Sequence, residues 1–270
     1  MKGFAFRSFA LALAATGVWA LPSAGQTAEE VLARRRELEA GAYRWTDRHQ
    51  TMKMRLLGGG RDERRVLEID SYDKRFGDGR SATVVFIRAP SDVEGTAFLG
   101  ERRAGQPSQQ WLYLPWAKKT RRITRPASES FMGSDLTYGD VDLLRELPSW
   151  SENDAEASLL PREVVDGVAS HVLVLVPKRK DIEYARVVVW LGTADLIARR
   201  IDLHADGKDA RKRILQKDVR AAGSVPVPRT IEVETLATRT RTEIAVTDVV
   251  FDQGLDDALF TQPALPRGGR

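Results

Sequence analysis

Three histidines are the side chains of this sequence best suited to act as acids, bases or metal ligands near neutral pH. His49, His171 and His204 lie far apart in the chain, and none stands at metal-ligand spacing from another. The chain contains no cysteine, which removes thiol catalysis and every cysteine-based metal site. This pattern favours structural histidines over a catalytic or metal-binding set.

Short motifs for nucleophilic or phosphate chemistry are incomplete. Residues 133–135 (Gly-Ser-Asp) lack the second glycine of a G-x-S-x-G nucleophile elbow, and residues 58–60 (Gly-Gly-Gly) lack the Lys-Ser/Thr of a phosphate loop. Asp135, Asp140 and Asp142 do not follow the order of an EF-hand, so a calcium or magnesium site there is a minor alternative. We therefore expect neither an enzyme nor a cofactor, and a hydrolase with an unrecognised site is the least favoured class.

Apolar side chains at two-residue spacing point to a hydrophobic surface. Met52, Met54 and Leu56 alternate with polar residues, and Trp111 and Tyr113 share one face of another predicted strand. Methionine adapts to irregular apolar shapes, and each aromatic ring can bury about 150–250 Å². Such faces either pack in an ordinary core or line a cargo cavity. The candidate cavity residues are Met52, Met54, Leu56, Phe86, Phe98, Trp111, Tyr113 and Trp190.

The densest positive run spans residues 118–125. It can be a solvated strand edge protected by charge, or a surface that attracts anionic lipid head groups or a partner. Nucleic-acid binding is least favoured, because the run lacks interleaved aromatic residues and the chain is predicted to be exported. The candidate head-group or partner contacts are Lys118, Lys119, Arg121 and Arg122.

The first 25 residues are predicted to be a signal peptide. Lys2 and Arg7 form a basic start, and residues 9–20 are an uncharged apolar run, shorter than the roughly 20 residues of a membrane span. Cleavage fits after residue 20 or after residue 25, and a buried N-terminal helix is the alternative. Removing the two cations lowers the net charge from +4 to +2, which argues weakly for an anionic partner. The mature chain, residues 26–270, is expected to be a single periplasmic domain without a lipid-modified cysteine.

Short strands dominate the mature chain. About a dozen segments of alternating or continuously apolar residues are bounded by Gly, Pro or polar residues at spacings of about 8–12 residues, which predicts an antiparallel sandwich or barrel. One short helix is predicted between its N-cap, Thr27, and Gly41. A loop with a short helix is expected at about residues 126–163. Residues 84–87 are apolar on both parities, so both sheet faces need a cover, and the helical segments are candidates for it.

Residues 94–141 resemble a known protein family. The blocks that carry the resemblance are EGTAFL at 94–99, QWLYLP at 110–115 and SFMGSDLTYGDV at 130–141. Their order and spacing are similar to those of the periplasmic outer membrane lipoprotein-sorting proteins, relatives of the LolA and LolB carriers. The resemblance is weaker but consistent over the rest of the mature chain. No residue here is matched to the cargo-gating arginine of the better-known carriers.

The resemblance implies a mainly β protein with a few helices, namely a LolA-like incomplete antiparallel β-barrel closed by helices around an apolar cavity. It implies a periplasmic carrier or acceptor of hydrophobic cargo, such as lipid or lipoprotein acyl chains. This carrier would act in lipoprotein sorting at the outer membrane or beside an inner-membrane exporter of the resistance-nodulation-division (RND) type. An envelope protein-binding or sensor module without lipid transfer is the alternative.

The block at 130–141 has two interpretations. It is either a structural turn, in which Ser134 or Asp135 caps the following helical turn, or a lid or docking segment for a partner. The residues concerned are Phe131, Met132, Gly133, Ser134, Asp135, Tyr138 and Asp140.

Overall fold

The computed structural model describes residues 26–103, 106–206 and 209–268, so the predicted signal peptide lies outside the described residues. Within these ranges, none of the helices has the length and hydropathy of a membrane span. The helices are α1 (Ala28–Ala40) and α2 (Tyr138–Glu146), and the strands are β1 (Asp47–Leu57), β2 (Glu63–Arg75), β3 (Arg80–Ala89), β4 (Ala97–Arg103), β5 (Gln109–Leu114), β6 (Lys119–Arg122), β7 (Ala155–Val165), β8 (Val168–Pro177), β9 (Arg186–Gly192), β10 (Ala198–His204), β11 (Lys212–Ala222), β12 (Val225–Thr235) and β13 (Thr240–Phe251).

The thirteen strands found in the described ranges form one antiparallel sheet. Its order is β6-β5-β4-β3-β2-β1-β13-β12-β11-β10-β9-β8-β7, so two meanders join where β1 pairs with β13. The outermost strands, β6 and β7, are not paired with each other, so the sheet does not close. The prediction of a mainly β, incomplete antiparallel barrel with a few helices is confirmed.

Both helices begin at a threonine that forms a capping box. Thr27 and Glu30 cap α1, and Gly41 ends it, as the sequence predicts. Helix α2 starts after Thr137, whose hydroxyl accepts the N–H of Asp140 at 3.1 Å. The expected caps, Ser134 and Asp135, precede this position and make other bonds, so the prediction of the α2 cap is wrong.

The segment between β6 and β7 is shorter than expected. Residues 155–163, which the sequence suggested as part of an irregular insertion, belong to β7 (Ala155–Val165). Pro161 interrupts the alternation of this strand, but it sits at a bulge on the edge of the sheet, where proline removes no ladder hydrogen bond. The connection therefore spans residues 123–154, with α2 at its centre.

One hydrophobic core lines the concave face of the sheet. It joins inward-pointing residues of both meanders to Val31 and Leu32 of α1, and to Leu143 of α2. Inward and outward side chains alternate along each strand, as the pleat requires. The helices thus cover the concave face, as expected from the apolar strands.

The convex face of β3–β5 has its own cover. Phe260 and Leu265, from 3₁₀ turns at Asp257–Phe260 and Gln262–Arg267, pack on Phe86 and Tyr113. This C-terminal cover explains why β3 is apolar on both parities. The helical segments were the only cover expected from the sequence.

Candidate functional site

A cavity of about 740 Å³ lies between the helices and the concave face. Its volume falls within the range of roughly 300–1,000 Å³ that is typical of pockets for small organic ligands. The lining residues come from both helices and from strands in both meanders. We call this region the open end of the concave face.

One part of the open end is apolar. Strands β8, β9, β10, β12 and β13 supply most of it, because their inward positions are leucine or β-branched residues that suit a pleated, buried surface. Helix α1 adds Leu32 and Ala40, helix α2 adds Leu144, and strand β1 adds Met52. The apolar lining includes Leu32, Met52, Leu173, Leu175, Val189, Leu191, Ile197, Ile201, Val225, Val227, Ile231 and Val246.

The other part of the open end is charged. It lies where β1, β2, β3 and β4 approach the C-terminal halves of α1 and α2. Among the lining residues of the described chain, eight are cationic and four are acidic, which leaves a positive excess. They are Arg35, Arg36, Arg48, Lys74, Arg75, Arg80, Arg102 and Arg145, with Glu39, Asp73, Asp142 and Glu146.

Two buried carboxylates hold part of this charge by ion pairs. Asp73 lies 2.8 Å from Arg48 and 3.8 Å from Arg145. Burial is the largest influence on the Asp73 pKa and raises it, but the two arginines and a hydrogen bond together leave the pKa below its usual value. Glu146 pairs with Arg102 and Arg179, and burial nevertheless raises its pKa above the usual value.

Arg35 is the most buried cation of this region. It is 7% exposed, and its Nη2 pairs with Glu39 at 2.6 Å. Glu39 also accepts from Arg75 at 2.9 Å. The Arg35 Nη1 atom is buried without a hydrogen-bond partner among the residues that the structure describes. Arg75 and Arg48 lie over the Trp45 ring, 3.9 and 5.0 Å from its centroid.

The opposite part of the concave face, the packed end, is filled by the block at 130–141. The rings of Phe98, Phe131 and Tyr138 contact one another, with centroids 5.3–5.5 Å apart. Met132 and Gly133 adopt left-handed backbone angles, with φ of 54° and 78°, and the turn they form brings Gly133 against Leu56.

Asp135 fastens this block to the hairpin of β12 and β13. Its carboxylate accepts hydrogen bonds from Thr235 at 2.8 Å, Thr240 at 2.5 Å and Thr242 at 2.8 Å. Its backbone N–H donates to the Thr242 hydroxyl at 2.9 Å, while Ser134 closes the turn by donating to the Phe131 carbonyl at 2.6 Å.

Asp140 fastens the start of α2 in the same way. It is 1% exposed and accepts from Lys212 Nζ and from the Tyr184 hydroxyl, each at 2.5 Å. Burial, together with the Asp140 charge, raises the pKa of Tyr184. Asp140 also accepts the backbone N–H of Thr137 at 2.7 Å. Its bonds are those of a buried structural group.

The candidate cavity residues divide between the two faces. Met52 lines the open end. Met54, Leu56 and Phe98 also lie on the concave face, but they belong to the packed core. Because side chains in β1 alternate between the two faces, its inward residues line the cavity at Met52 and belong to the core at Met54 and Leu56.

Four other candidates lie on the convex face, away from the cavity. Phe86, Trp111 and Tyr113 pack with the C-terminal cover. Trp190 packs with Val172 and donates to Glu163 at 2.8 Å. Side chains alternate between the two faces of a strand, so the residues next to these four in sequence are the ones that point to the concave face.

The positive run of residues 118–122 lies at the β6 edge of the sheet. Lys118, Lys119 and Arg122 are exposed, and Arg121 pairs with Glu129 at 2.7 Å. None of the four is part of the cavity lining that the structure describes. The cations of the open end come from other elements.

The histidines stand apart from one another. His49 stacks on Tyr72 with centroids 4.4 Å apart, and it lies 3.5 Å from Asp70. His171 is buried, which lowers its pKa, and His204 contacts Arg186 at 3.0 Å. Within the described ranges, no cluster of three or more His, Cys, Asp and Glu side chains could hold a metal ion.

The buried cation on α1 is not among the residues predicted for the site, although the sequence pattern contains a signal for it. Arg35 stands four residues after Val31 and three after Leu32, which places it on the same helix side as these buried residues. Asp73 and Arg48 face inward by the alternation of β2 and β1. Their pairing depends on the register of those strands, which the sequence does not specify.

Comparisons with known proteins agree with this fold. A profile for a family described as "uncharacterized protein" matches residues 79–267, more than half of the chain. No curated protein sequence matches the chain.

Similar solved structures have more specific descriptions than the matching family. A domain of an outer membrane lipoprotein-sorting protein from Vibrio parahaemolyticus is 25% identical, with a TM-score of 0.78, over 89% of this chain and 98% of that chain. A DUF1329 family protein from Desulfovibrio piger is also 25% identical, with a TM-score of 0.78, over 88% and 97%. A LolA superfamily protein from Nitrosomonas europaea is 17% identical, with a TM-score of 0.64, over 88% and 99%, and shares the fold. The resemblance carried by residues 94–141 is confirmed.

Proposed function

The chain belongs to the family whose profile matches residues 79–267, and from this premise we propose that it is a periplasmic carrier or acceptor of hydrophobic cargo. The cargo would be lipid or lipoprotein acyl chains held in the open end. The observation that carries the proposal is the cavity of about 740 Å³ with an apolar wall from six strands. The periplasmic location rests on the predicted signal peptide of residues 1–25.

The size of the cavity supports an acyl ligand. A cavity of roughly 150 Å³ holds one benzene-sized ligand, and this one is about five times larger. Burial of each methylene contributes about 0.8 kcal/mol, so a chain of twelve methylenes would gain about 10 kcal/mol before the entropic cost of binding. Neither a nucleotide nor a metal is needed for such binding.

The biological setting is proposed from two sources. The description of the Vibrio parahaemolyticus structure as a lipoprotein-sorting domain supports a role in the sorting of outer-membrane lipoproteins. A role beside an RND-type exporter in the inner membrane rests on the resemblance of residues 94–141 alone.

The test is lipid occupancy of the protein purified gently from the periplasm. We expect native mass spectrometry and lipid extraction to find bound acyl lipid in the wild type. Ile231→Trp would place an indole in the cavity and should reduce occupancy at least fivefold.

Thr230→Trp is the matched control, because Thr230 precedes Ile231 on β12 and points to the convex face. This control should keep its lipid, and circular dichroism should show that both variants are folded. A wild type without lipid that also takes up no fluorescent fatty-acyl probe would exclude the carrier role.

A binding module for an envelope protein is the second candidate, and one observation favours it. Strand β7 is a free edge of eleven residues, with Leu160 and Val164 45% and 71% exposed. A partner strand could add to this edge through main-chain hydrogen bonds. Capture of one envelope protein by a lipid-free chain, lost in Leu160→Lys, would favour this function over transport.

A further inference from the structure

We propose that the cargo is an acyl lipid with an anionic head group, a phosphate or a carboxylate, and that Arg35 binds this anion inside the cavity. Arg75 and Arg48 would stand beside the anion, and the acyl chain would lie along the apolar wall. This inference rests on the proposed function and deepens it by naming the class of cargo.

Arg35 has one nitrogen, Nη1, that is buried without a hydrogen-bond acceptor among the described residues. A guanidinium carries five N–H donors and is charged at all physiological pH values. The Arg35 side chain is more than nine-tenths buried and lines the cavity, and within the described part of the chain its Nη1 atom has no acceptor. Buried polar groups in native proteins almost always have a partner, so an acceptor from a ligand would complete this site.

Cations outnumber carboxylates around Arg35. Arg35 and Arg75 share the single carboxylate of Glu39, and Arg48 and Arg145 share that of Asp73. Arg145 also lies 3.8 Å from Asp142, so this group carries four positive and three negative charges. Arg35 is the buried cation of this group. A buried positive charge is costly unless it is compensated, and a phosphate or carboxylate would add to its compensation through charge-assisted hydrogen bonds.

Charged and apolar lining residues follow one another along single elements. On β1 the inward positions that line the cavity are Arg48, Gln50 and Met52, so the wall changes from charged to apolar over about 13 Å. On α1, Leu32 lines the cavity one turn before Arg35. A ligand with a charged head and an apolar tail matches this gradient, whereas a neutral hydrocarbon leaves the charged part unused.

Two ligands with the same sixteen-carbon chain test the inference on the delipidated protein. Palmitoyl lysophosphatidylglycerol carries a phosphate, and monopalmitoylglycerol does not. We expect the wild type to bind the phosphate ligand at least tenfold more tightly, as measured by isothermal titration calorimetry or probe displacement. Arg35→Met should remove most of this preference and change the Kd of the neutral ligand less than twofold.

Arg34→Met is the matched control, because it removes the same charge from the exposed side of the same helix. It should leave both affinities unchanged. Arg35→Lys keeps the positive charge and should keep most of the preference, which separates loss of charge from altered packing. Palmitate, tested in parallel, identifies whether a carboxylate serves as well as a phosphate.

Several results would overturn the inference. If the phosphate and neutral ligands bind the wild type equally, the head-group site does not exist, although the proposed carrier function stands. Equal loss of preference in Arg34→Met, or full loss in Arg35→Lys, would contradict specific binding by Arg35. Inorganic phosphate that binds as tightly as the lysophospholipid would show a free-anion site instead of a lipid head-group site. If no acyl ligand binds, the proposed function itself fails.

Discussion

The concave face of the sheet is filled at one end and open at the other, although the same strands build both. Strand β1 contributes Met52 to the cavity and Met54 to the core. Strand β12 likewise contributes Ile231 to the cavity lining and Val233 to the core. An inward-facing apolar residue is therefore core or binding surface according to what the segment between β6 and β7 places opposite it.

The two ends also treat polar groups differently. At the packed end, Asp135 accepts three hydrogen bonds from threonines of β12 and β13. Asp140 also accepts three, from Lys212 of β11, Tyr184 and Thr137. At the open end, the cations outnumber the acids of the described lining, and one buried donor of Arg35 is unused. Complete pairing is what a structural core needs, whereas incomplete pairing leaves capacity for a ligand.

The sharpest test of this comparison is to truncate one side chain at each end. Phe131→Ala removes a ring that is 6% exposed and packed against Phe98 and Tyr138, so we expect a loss of about 4 kcal/mol in the free energy of unfolding. Ile231 already borders a cavity, so Ile231→Ala should lower the free energy of unfolding by only about 1 kcal/mol. Urea denaturation measures both, and equal losses would show that the open end is packed as tightly as the other.

The next largest loss of stability is expected at Asp135, whose carboxylate joins the block at 130–141 to β12 and β13. Asp135→Ala leaves three threonine hydroxyls of β12 and β13 without their carboxylate and should cost about 2–3 kcal/mol, since hydrogen bonds to charged groups contribute roughly 1.5–3 kcal/mol each and are not additive. Asp92→Ala, which removes an exposed partner of Arg65, should stay within about 0.5 kcal/mol. If Asp135→Ala lost as little stability as Asp92→Ala, the block at 130–141 would be held in place by its aromatic rings alone.

Local signals in the sequence were sufficient for much of the fold. Thr27 and Gly41 predicted the limits of α1, because capping depends on residues within a few positions. Period-two alternation predicted most strands for the same reason. Strand β7 was not predicted, because Pro161 breaks its alternation. The structure shows that this proline lies at a bulge on the sheet edge, where it is tolerated.

The candidate site was harder to predict because it depends on pairings between distant segments. Trp111 and Tyr113 share one parity and Leu112 and Leu114 the other, and both parities are apolar. Nothing near them in sequence indicates that the turns holding Phe260 and Leu265 cover the first pair. The charged part of the cavity likewise depends on the register that brings Asp73 opposite Arg48.

The smallest expected effect concerns two buried carboxylates that line the cavity and whose pKa values move in opposite directions. Burial raises the pKa of Asp142 above 3.8, in spite of Arg145 at 3.8 Å and a hydrogen bond from Gln110. The folded state then holds this proton to higher pH than the unfolded state does. The contribution of Asp142 to the free energy of unfolding therefore falls as the pH rises from 3.8 through the raised pKa.

Asp73 has the opposite sign, because its pKa lies below 3.8 in the folded protein. Its contribution is present above 3.8 and is lost as the pH falls toward the lowered pKa. We therefore expect Asp142→Asn to gain stability relative to the wild type as the pH rises from 3.8, whereas wild type should gain relative to Asp73→Asn as the pH rises to 3.8. Urea denaturation from pH 3 to pH 7 measures both differences. If the stability of both variants relative to wild type changed with pH in the same direction, the arginines of the open end would not hold Asp73 in its charged form. Asp73 and Asp142 would then not differ as a paired carboxylate and a merely buried one.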